Sequence, residues 1–418
     1  MGAGMSVGAR CPSWVPESIR LGGGRSAGGR WDGVARTRPR GHFGLEPLAP
    51  PAPSHTRTAP SAAEAPDDPV TPDPPCDVFP AMASPSVPAV DRKADHLTIA
   101  AGEGVLHGAG SGLDAVRLRH RALPGRDLDA VALDAELLGR RLAAPLLVSA
   151  MTGGTDEAIA INDRLAAAAA RHGVAMSLGS GRALLEDVGV LRSFRPADRP
   201  PLLLANLGVV GLDPGMAARV VELLGADALG IHLNPLQEAV QPEGDPSFGD
   251  ALDRIAAVVA ALAPVPVVVK EVGFGLDADD VRRLAAAGVA AIDVAGSGGT
   301  NWALVEGRRD PRAGRLAAAF ATWGRPTAEA VRDAVGAAGG LPILASGGVR
   351  DGVDAARCLA LGARAAGMAR PLLLAAREGR ADEALETVVE QLRIATWLAG
   401  AARSADLGAA HLQDSAPG

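Results

Sequence analysis

The chain has 418 residues, of which 48% are hydrophobic, so it is long enough to form a substantial core in one large domain or two. Its formal net charge of −7 argues against a general nucleic-acid-binding protein. No apolar stretch approaches the roughly 20 residues that a membrane-spanning helix needs. The cysteines, Cys11, Cys76 and Cys358, lack the spacing of a disulfide framework or a zinc site. These features predict a cytoplasmic protein that binds neither nucleic acid nor membranes.

Residues 1–88 are rich in Pro, Gly and Arg and show no apolar periodicity, as in PLAPPAPS at 47–54. A segment of this composition cannot bury enough apolar surface to fold. We therefore expect a disordered N-terminal extension, followed by one folded domain over residues 89–418. The Arg-rich, acid-poor start could also suggest an organelle transit peptide, but its Gly and Pro content disfavours the amphipathic helix of such a signal. Met82 is a candidate for the true start, in which case residues 1–81 are not translated.

From residue 145 onward, short runs of Val, Leu and Ile alternate with Ala-rich segments of helical pattern. The predicted strands span 145–150, 173–178, 201–206, 228–233, 266–271, 291–296, 342–347 and 363–368. Helices are predicted between most of them, for example over 155–171, 248–262, 277–287, 327–338 and 352–361. Such alternation indicates βαβ units and a parallel sheet. Eight units of this length favour a (β/α)8 TIM barrel; a doubly wound open sheet is the alternative.

Uncommon polar residues follow the predicted strands, where the active sites of TIM barrels lie. The segment HLNPLQEAVQPEGD, residues 232–245, follows the fourth strand and is dense in such groups. The chain has only four Asn, and Asn206, Asn234 and Asn301 all lie at or after strand ends. In a barrel without an active site, these Asn residues would be distributed along the chain without regard to the strand ends. The sequence therefore predicts an active site at the carboxyl ends of the strands.

Glycine turns after the last two strands indicate a phosphate site. In ASGGVRDG, residues 345–352, Gly347 and Gly348 come just before a predicted helix. Backbone N–H groups at such a turn bind phosphate with the help of the helix dipole. TIM barrels commonly form a phosphate site from the loops after strands seven and eight, and GMAR at 367–370 is the second of these loops here. Together the two turns predict a phosphate-bearing cofactor.

Lysine is rare, because Lys93 and Lys270 are the only Lys among 41 basic residues. In so Arg-biased a chain, a lysine marks a place where a compact ammonium is needed, although chance survival and, for Lys270, a salt bridge are alternatives. Glu238 is a candidate Mg²⁺ ligand, since one carboxylate plus substrate phosphates is a usual way to bind that ion. Its alternative role is that of a Glu at a helix N-terminus.

Six segments occur in the order found in one enzyme family. They are RKADH (92–96), SAMTGG (149–154), HLNPLQEAVQPEGD (232–245), KEVGFG (270–275), DVAGSGGTNW (293–302) and ASGGVRDGVDAARCLALGA (345–363). Over residues 90–400 the chain resembles the type 2, FMN-dependent isopentenyl-diphosphate delta-isomerases. The long block after the fourth strand is highly specific, whereas the SGG turn is shared by many flavin barrels.

The resemblance implies FMN, Mg²⁺, NAD(P)H to reduce the flavin, and a five-carbon diphosphate substrate of isoprenoid biosynthesis. It implies a flavin site of Ala150, Met151, Thr152, Ser180, Asn206, Lys270, Thr300, Gly347, Gly348, Arg350, Met368 and Ala369. It implies substrate contacts from Arg92, Lys93, His96, Ser180, Arg182, His232, Asn234 and Gln237. Glu238 would bind Mg²⁺, and Gln237 and Lys270 would be the catalytic residues. A homo-oligomer, tetramer or octamer, is also implied.

The chain departs from the family pattern at two positions. Gly181 stands where the family usually has Gln, so one substrate contact would be missing or made by water. Trp302 stands where the family has Phe, so the pocket there would be reshaped.

Other functions fit the sequence less well. An FMN-dependent 2-hydroxy-acid oxidase or dehydrogenase needs a His base near the barrel mouth, and the loops after strands five to seven contain no His. A nucleotide dehydrogenase with a loop Cys nucleophile is disfavoured, because Cys358 lies within a predicted helix. A non-catalytic flavin-binding barrel is the remaining alternative, and Gly181 is the feature in its favour.

Overall fold

The computed structural model describes residues 89–413, with side chains from Arg92 onward. These residues belong to one compact unit, Phe79–Gly418. The predicted N-terminal extension and Met82 lie outside the described residues. No helix within the described range is both long and apolar enough to cross a membrane.

Eight parallel strands close into a barrel in chain order, and the last strand pairs with the first. They follow a short antiparallel hairpin of β1 (Ala135–Leu137) and β2 (Arg140–Leu142). The barrel strands are β3 (Leu146–Val148), β4 (Ala175–Ser177), β5 (Leu203–Gly208), β6 (Ala228–Leu233), β7 (Val267–Glu271), β8 (Ala291–Asp293), β9 (Ile343–Ala345) and β10 (Ala365–Met368). The predicted TIM barrel is confirmed, and the open sheet is excluded.

Helices surround the barrel and cover part of its mouth. They are α1 (Ala89–Ala100), α2 (Asp156–Arg171), α3 (Arg182–Glu186), α4 (Leu191–Phe194), α5 (Pro214–Leu224), α6 (Pro235–Val240), α7 (Ala251–Leu262), α8 (Ala278–Ala286), α9 (Trp302–Arg309), α10 (Pro311–Ala317), α11 (Thr327–Ala337), α12 (Gly352–Ala360), α13 (Arg370–Arg377) and α14 (Ala381–Leu398). The side chains of Thr155, Asp277 and Asp351 cap α2, α8 and α12 by accepting a backbone N–H of the first turn. The five helices predicted by residue range correspond to α2, α7, α8, α11 and α12.

The amino end of the barrel is closed by apolar side chains. Leu137 and Leu142 of the hairpin pack in one cluster with Leu147, Leu204 and Val268 from the barrel interior. The hairpin was not predicted, because its strands, AEL and RRL, contain charged residues and no run of Val, Leu and Ile.

Charge pairing also joins the hairpin to the barrel at this end. The carboxylate of Asp227 accepts hydrogen bonds from Arg140 of the hairpin at 2.7 Å and from Arg199 at 2.9 Å. It also accepts one from the backbone N–H of Leu203. The opposite end of the barrel is left for polar groups.

Candidate active site

A cavity of about 610 Å³ opens at the carboxyl ends of the strands. Every site residue predicted from the sequence lines it except Met368. The cavity therefore brings together residues from α1, from the ends of the barrel strands and from the loops that follow them. This placement is what the parallel barrel topology predicts for side chains that follow successive strands.

Two of the predicted residues differ from expectation in how they are placed. The side chain of Met368 is 2% exposed and packs in the core between strands and helices, because it points outward from β10. Arg350 lines the cavity, but its guanidinium is paired with Asp354 at 2.8 Å and with Asp114 at 2.6 Å. Ala369, the residue after Met368 in the GMAR turn, lines the cavity as predicted.

His232 lies at the end of β6, paired in register with Gly208 of β5 and Lys270 of β7. Its Nδ1 lies 3.0 Å from Oδ1 of Asn206, so Nδ1 donates to that amide oxygen and Nε2 is the acceptor nitrogen. Burial, followed by the positive charges of Lys270, Arg182 and Lys93, lowers the pKa of His232 to about 3. The imidazole is therefore neutral at physiological pH and serves as a hydrogen-bonding group.

The opening segment of α6 forms a hydrogen-bonded network. Asn234 donates through Nδ2 to Oε1 of Glu238 at 2.8 Å and to Oε1 of Gln237 at 3.2 Å. The second oxygen of Glu238 accepts from Gln241 and from the backbone N–H of Asp245, both at 3.0 Å. The unusual density of Asn, Gln and Glu in this segment therefore fixes the side chains of Gln237 and Glu238.

Glu306 on α9 is a site residue that the sequence did not reveal. Its carboxylate is fully buried, accepts a hydrogen bond from Nε2 of Gln237 at 2.7 Å and lies 2.8 Å from Nε2 of His96. Arg309 pairs with it at 2.7 Å. Burial opposes the charge, but the bonds from His96, Gln237 and Arg309 hold the pKa of Glu306 below its usual value. Glu306 is thus a charged group that orients Gln237 and His96.

The same network holds α1 over the cavity. Glu243, in the PEGD part of the loop after β6, lies 2.9 Å from Arg309 and 3.8 Å from Arg92. The His96–Glu306 pair, the contact between Asp95 and Arg309 at 3.8 Å and the bond from Lys93 to the backbone oxygen of Ser180 are further polar contacts that α1 makes at the rim. The sequence carried no signal for Glu306 or Arg309, because one Glu followed by two Arg in a helix is the pattern of an ordinary solvated surface.

Lys270 points into the cavity from the end of β7. Its Nζ donates to the backbone oxygen of Glu271 at 2.5 Å. In register beside it lies Asp293, which is 1% exposed and accepts a hydrogen bond from Oγ of Ser346 at 2.7 Å. Burial raises the pKa of Asp293, and the charge of Lys270 opposes that rise. Asp293 is thus near enough to be a partner for the salt bridge considered for Lys270. No ion-pair contact joins Lys270 and Asp293 among the described residues.

The residues at the cavity fit the phosphate end of FMN. Gly347 and Gly348 have φ values of +97° and +70°, and a Cβ on Gly347 would lie 1.9 Å from the oxygen of Gly296. Only glycine allows the loops after β8 and β9 to approach so closely. Helix α13 begins at the cavity with Ala369 as its N-cap and no side-chain hydrogen bond at that cap; Pro371 has no N–H, so the backbone N–H groups of Arg370 and Leu372 are those of the first turn that no capping side chain binds. Such a helix start suits a phosphate.

A second observation also fits a bound cofactor. The hydroxyl of Ser149, at the end of β3, lines the cavity, is buried and has no hydrogen-bond partner among the described residues. A buried hydroxyl without a partner is costly, and a polar ligand in the cavity would satisfy it.

Glu238 fits a single-carboxylate magnesium site. Within residues 92–413 no group of three or more His, Cys, Asp and Glu is arranged to hold a metal ion alone. Mg²⁺ does not require one, since one or two carboxylates with substrate phosphates and water complete its shell. Among the described residues, Oε1 of Glu238 accepts only the bond from Asn234 and so has a lone pair left for a metal ion, whereas Gln241 and Asp245 use both lone pairs of Oε2.

Of the two departures from the family pattern, Trp302 lines the cavity, and Gly181 lies between Ser180 and Arg182, which line it. A Cβ at Gly181 would lie 3.0 Å from Cγ1 of Val220, so a Gln at this position would need Val220 to move. Trp302 packs edge-on against His96, with ring centroids 5.5 Å apart. The indole thus supports the imidazole that pairs with Glu306.

Comparison with known proteins agrees with the fold and identifies the family. A model of the FMN-dependent dehydrogenase family matches residues 232–414. The chain is 47% identical over 327 residues to the isopentenyl-diphosphate delta-isomerase of Synechococcus sp., covering 76% of this chain and 93% of that protein. It is 49% identical over 324 residues to the protein of the same name from Xanthobacter autotrophicus, covering 74% of this chain and 94% of that protein.

Solved structures show the same barrel at lower identity. The monotopic membrane protein (S)-mandelate dehydrogenase aligns with a TM-score of 0.55 at 19% identity, covering 79% of this chain and 96% of its own. A mutant flavocytochrome b2 with benzoylformate aligns with a TM-score of 0.56 at 18% identity, covering 78% of this chain and 83% of its own. These likenesses establish the fold alone. From the curated relatives, the chain belongs to the isopentenyl-diphosphate delta-isomerase family of enzymes, on an FMN-dependent dehydrogenase barrel, as its sequence motifs predicted.

Proposed function

We propose that the protein interconverts isopentenyl diphosphate and dimethylallyl diphosphate in isoprenoid biosynthesis, with FMN, Mg²⁺ and NAD(P)H to reduce the flavin. One observation carries the proposal: a single cavity has two separate groups of anion-binding features. One consists of the glycine turns and the uncapped start of α13. The other consists of Arg92, Lys93 and Arg182 with Glu238. A flavin phosphate and a substrate diphosphate need two such places.

The cationic group would bind the diphosphate. Arg92 and Lys93 come from α1, and Arg182 from the start of α3 donates to the backbone oxygen of Val210. These positive charges, together with Mg²⁺ on Glu238, would fix the substrate at its phosphate end. Anchoring a substrate at one end aligns its reacting carbons and removes part of the entropic barrier.

The reaction adds a proton at one carbon and removes one from another, without net oxidation. When bound in its reduced form, FMN supplies an acid–base group and an electron-rich surface beside the five-carbon unit. Lys270 would place its ammonium against the negative charge of the reduced ring. Because the backbone oxygen of Glu271 fixes Nζ, that charge is preorganised.

Gln237 would position the reacting part of the substrate or relay a proton, since a carboxamide does not titrate. Its carboxamide is fixed at both ends: Nε2 donates to Glu306 and Oε1 accepts from Asn234. Neutral His232, with a pKa of about 3, would accept a hydrogen bond from substrate or cofactor through Nε2.

Oxidation of a 2-hydroxy acid is a weaker proposal. That reaction needs a His that can take a proton near neutral pH. His232 is too weak a base at a pKa of about 3, and the loops after β7, β8 and β9 contain no His.

The test is a visible spectrum and a turnover assay on purified protein. We expect a flavin spectrum that NADPH bleaches anaerobically, after which isopentenyl diphosphate is converted to dimethylallyl diphosphate. Chelation of Mg²⁺ should stop the conversion without removing the flavin. Bleaching by a 2-hydroxy acid instead, or a reduced flavoprotein that fails to convert the diphosphate, would overturn the proposal. Sedimentation of the same sample tests the proposed tetramer or octamer.

A further inference from the structure

Lys93 lines the cavity and contacts a group of residues, Ser180 and Phe194, whose contacts with Lys93 the proposed reaction does not explain. Its Nζ donates to the backbone oxygen of Ser180 at 2.6 Å and lies 4.5 Å from the centroid of the Phe194 ring. No ion pair joins Lys93 to a carboxylate within the part of the chain that the structure describes. The ammonium is thus held by one carbonyl and one ring face.

The glycine pair of the SAMTGG segment provides room for these contacts. A Cβ on Gly153 would lie 2.0 Å from Cε1 of Phe194. A Cβ on Gly154, where φ is +87°, would lie 3.0 Å from Cδ of Lys93. The two glycines therefore leave space for the ring and for the lysine side chain respectively.

Polar contacts fix the backbone around Phe194, which is fully buried. Oγ of Ser193 accepts a hydrogen bond from the N–H of Gly154 at 2.7 Å. Nδ2 of Asn162 donates to the backbone oxygens of Ser193 at 2.7 Å and Thr152 at 3.1 Å. Helix α4 is thereby tied to the loop after β3, and the ring cannot move away from Lys93 without breaking these bonds.

We propose that Phe194 is a positioning residue for the diphosphate site, whose ring face holds the ammonium of Lys93 at the cavity wall. The inference rests on the proposed function, which places Lys93 on the substrate's diphosphate. An aromatic ring attracts a cation through its quadrupole and carries no net charge. A carboxylate in the same place would also hold Lys93, but it would repel an anionic substrate. The ring fixes the ammonium and leaves its charge available.

Charged groups on several elements act on this ammonium. Burial, followed by the charge of Arg92, lowers the pKa of Lys93 to about 7, while Glu186 on α3 opposes that change. Arg182 and the neutral imidazole of His232 line the same cavity as Lys93, and the charges of Arg182 and Lys93 both act on that imidazole. Because a ring face favours the charged amine, its loss without entry of water should lower the pKa of Lys93 further.

The experiment uses the fact that the chain has only two lysines. Protein labelled with [13Cε]lysine gives a Lys93 signal, assigned by its loss in Lys93→Arg, whose titration can be followed by NMR. Phe194→Leu removes the ring and keeps apolar bulk. We expect its Lys93 midpoint to fall and its affinity for inorganic pyrophosphate with Mg²⁺, measured by calorimetry, to weaken roughly tenfold. Phe248→Leu is the matched control, since Phe248 packs on the core outside the cavity lining, and it should change neither quantity.

Two outcomes separate this inference from the proposed function. If Lys93→Met weakens pyrophosphate binding while Phe194→Leu leaves the Lys93 midpoint unchanged or raises it, Phe194 only excludes water and the inference is wrong. If Lys93→Met leaves pyrophosphate binding unchanged, the proposed role of Lys93 in the function is wrong, whatever Phe194 does. Should Phe194→Leu fail to fold, as judged by its melting transition, the same two measurements on Phe194→Met decide.

Discussion

The two ends of the barrel are built from opposite kinds of contact. At the amino end, Leu137 and Leu142 pack in an apolar cluster with the barrel interior, and Asp227 is paired with two exposed arginines. At the carboxyl end, the cavity has Lys270, His232 and Glu238 on its wall. Apolar packing stabilises one end, whereas at the other end burial lowers the pKa of His232 and that of Lys93, as is common at sites of chemistry.

This difference implies that stability and activity depend on different ends. Truncation of an apolar side chain at the amino end should lower the free energy of unfolding and leave turnover unchanged. Removal of a charge at the carboxyl end should lower turnover and leave the free energy of unfolding nearly unchanged.

The largest effect is expected for Glu238→Gln at the carboxyl end. Loss of a charged ligand worth about 3 kcal/mol would lower turnover at limiting Mg²⁺ by roughly a hundredfold. The protein should stay folded and keep its flavin, because Gln can still accept the bond from Asn234. Turnover titrated with Mg²⁺ checks this, and Glu222→Gln on the exposed face of α5 is the control. Wild-type turnover at limiting Mg²⁺ would make Glu238 a structural residue.

Lys270 should not be replaceable by Arg. A guanidinium is a wide planar fork that would not fit where Nζ bonds the oxygen of Glu271. Lys270→Ala and Lys270→Arg should both lower turnover roughly tenfold or more, and lower the flavin's reduction potential or its affinity. Flavin titration and turnover measure these effects. Near-normal values for Lys270→Arg would show that any cation suffices.

Arg309→Met should change the pH dependence of turnover rather than the fold. Arg309 helps to hold the pKa of Glu306 below its usual value against the effect of burial. Removal of Arg309 should raise the pKa of Glu306. As the pH is lowered, Glu306 would then take up its proton at a higher pH than in the unaltered protein. The acid limb of the kcat/KM profile should therefore move to higher pH. Arg308→Met, on the exposed face of the same helix, is the control, and an identical shift in both variants would contradict this account.

At the amino end, Leu137→Ala should lower the free energy of unfolding by roughly 2–4 kcal/mol, as for other buried leucines. Turnover per folded molecule should be unchanged, because Leu137 lies at the opposite end of the barrel from the cavity. Chemical denaturation with a turnover assay measures both quantities. Leu123→Ala, at a position 89% exposed, is the matched control and should change neither. A loss of turnover at full folding would show that the two ends are coupled.

The smallest effect is expected from removal of residues 1–81. We propose that these residues, which lie outside the described part of the chain, contribute to neither end of the barrel, since their sequence has no apolar periodicity. Protein that starts at Met82 should isomerise at the full rate and melt at the same temperature. A clear loss in either measurement would assign these residues a role in the domain.

Much of the site could be predicted because its residues are uncommon types at the ends of apolar runs. His232, Asn234 and Glu238 stand out in a chain of Ala, Gly, Arg and Pro. Glu306 and Phe194 do not, because their roles arise from contacts with distant segments. Gln237 is 69 positions from Glu306, and Lys93 is 87 positions from Ser180. Local pattern does not report such pairs, and it does not predict helix α1 over Ala89–Ala100 either.

The sequence by itself determined the barrel strands and their order, because apolar runs and chain order can be read locally. It also determined which end of the barrel forms the active site, because a parallel barrel places the carboxyl ends of all its strands at one mouth. Only the tertiary structure decided the state of each group there. The pKa of His232 falls to about 3 and that of Lys93 to about 7 because burial and neighbouring cations act on them together. Burial and Coulomb interactions depend on distances through space, and those distances exist only once the chain has folded.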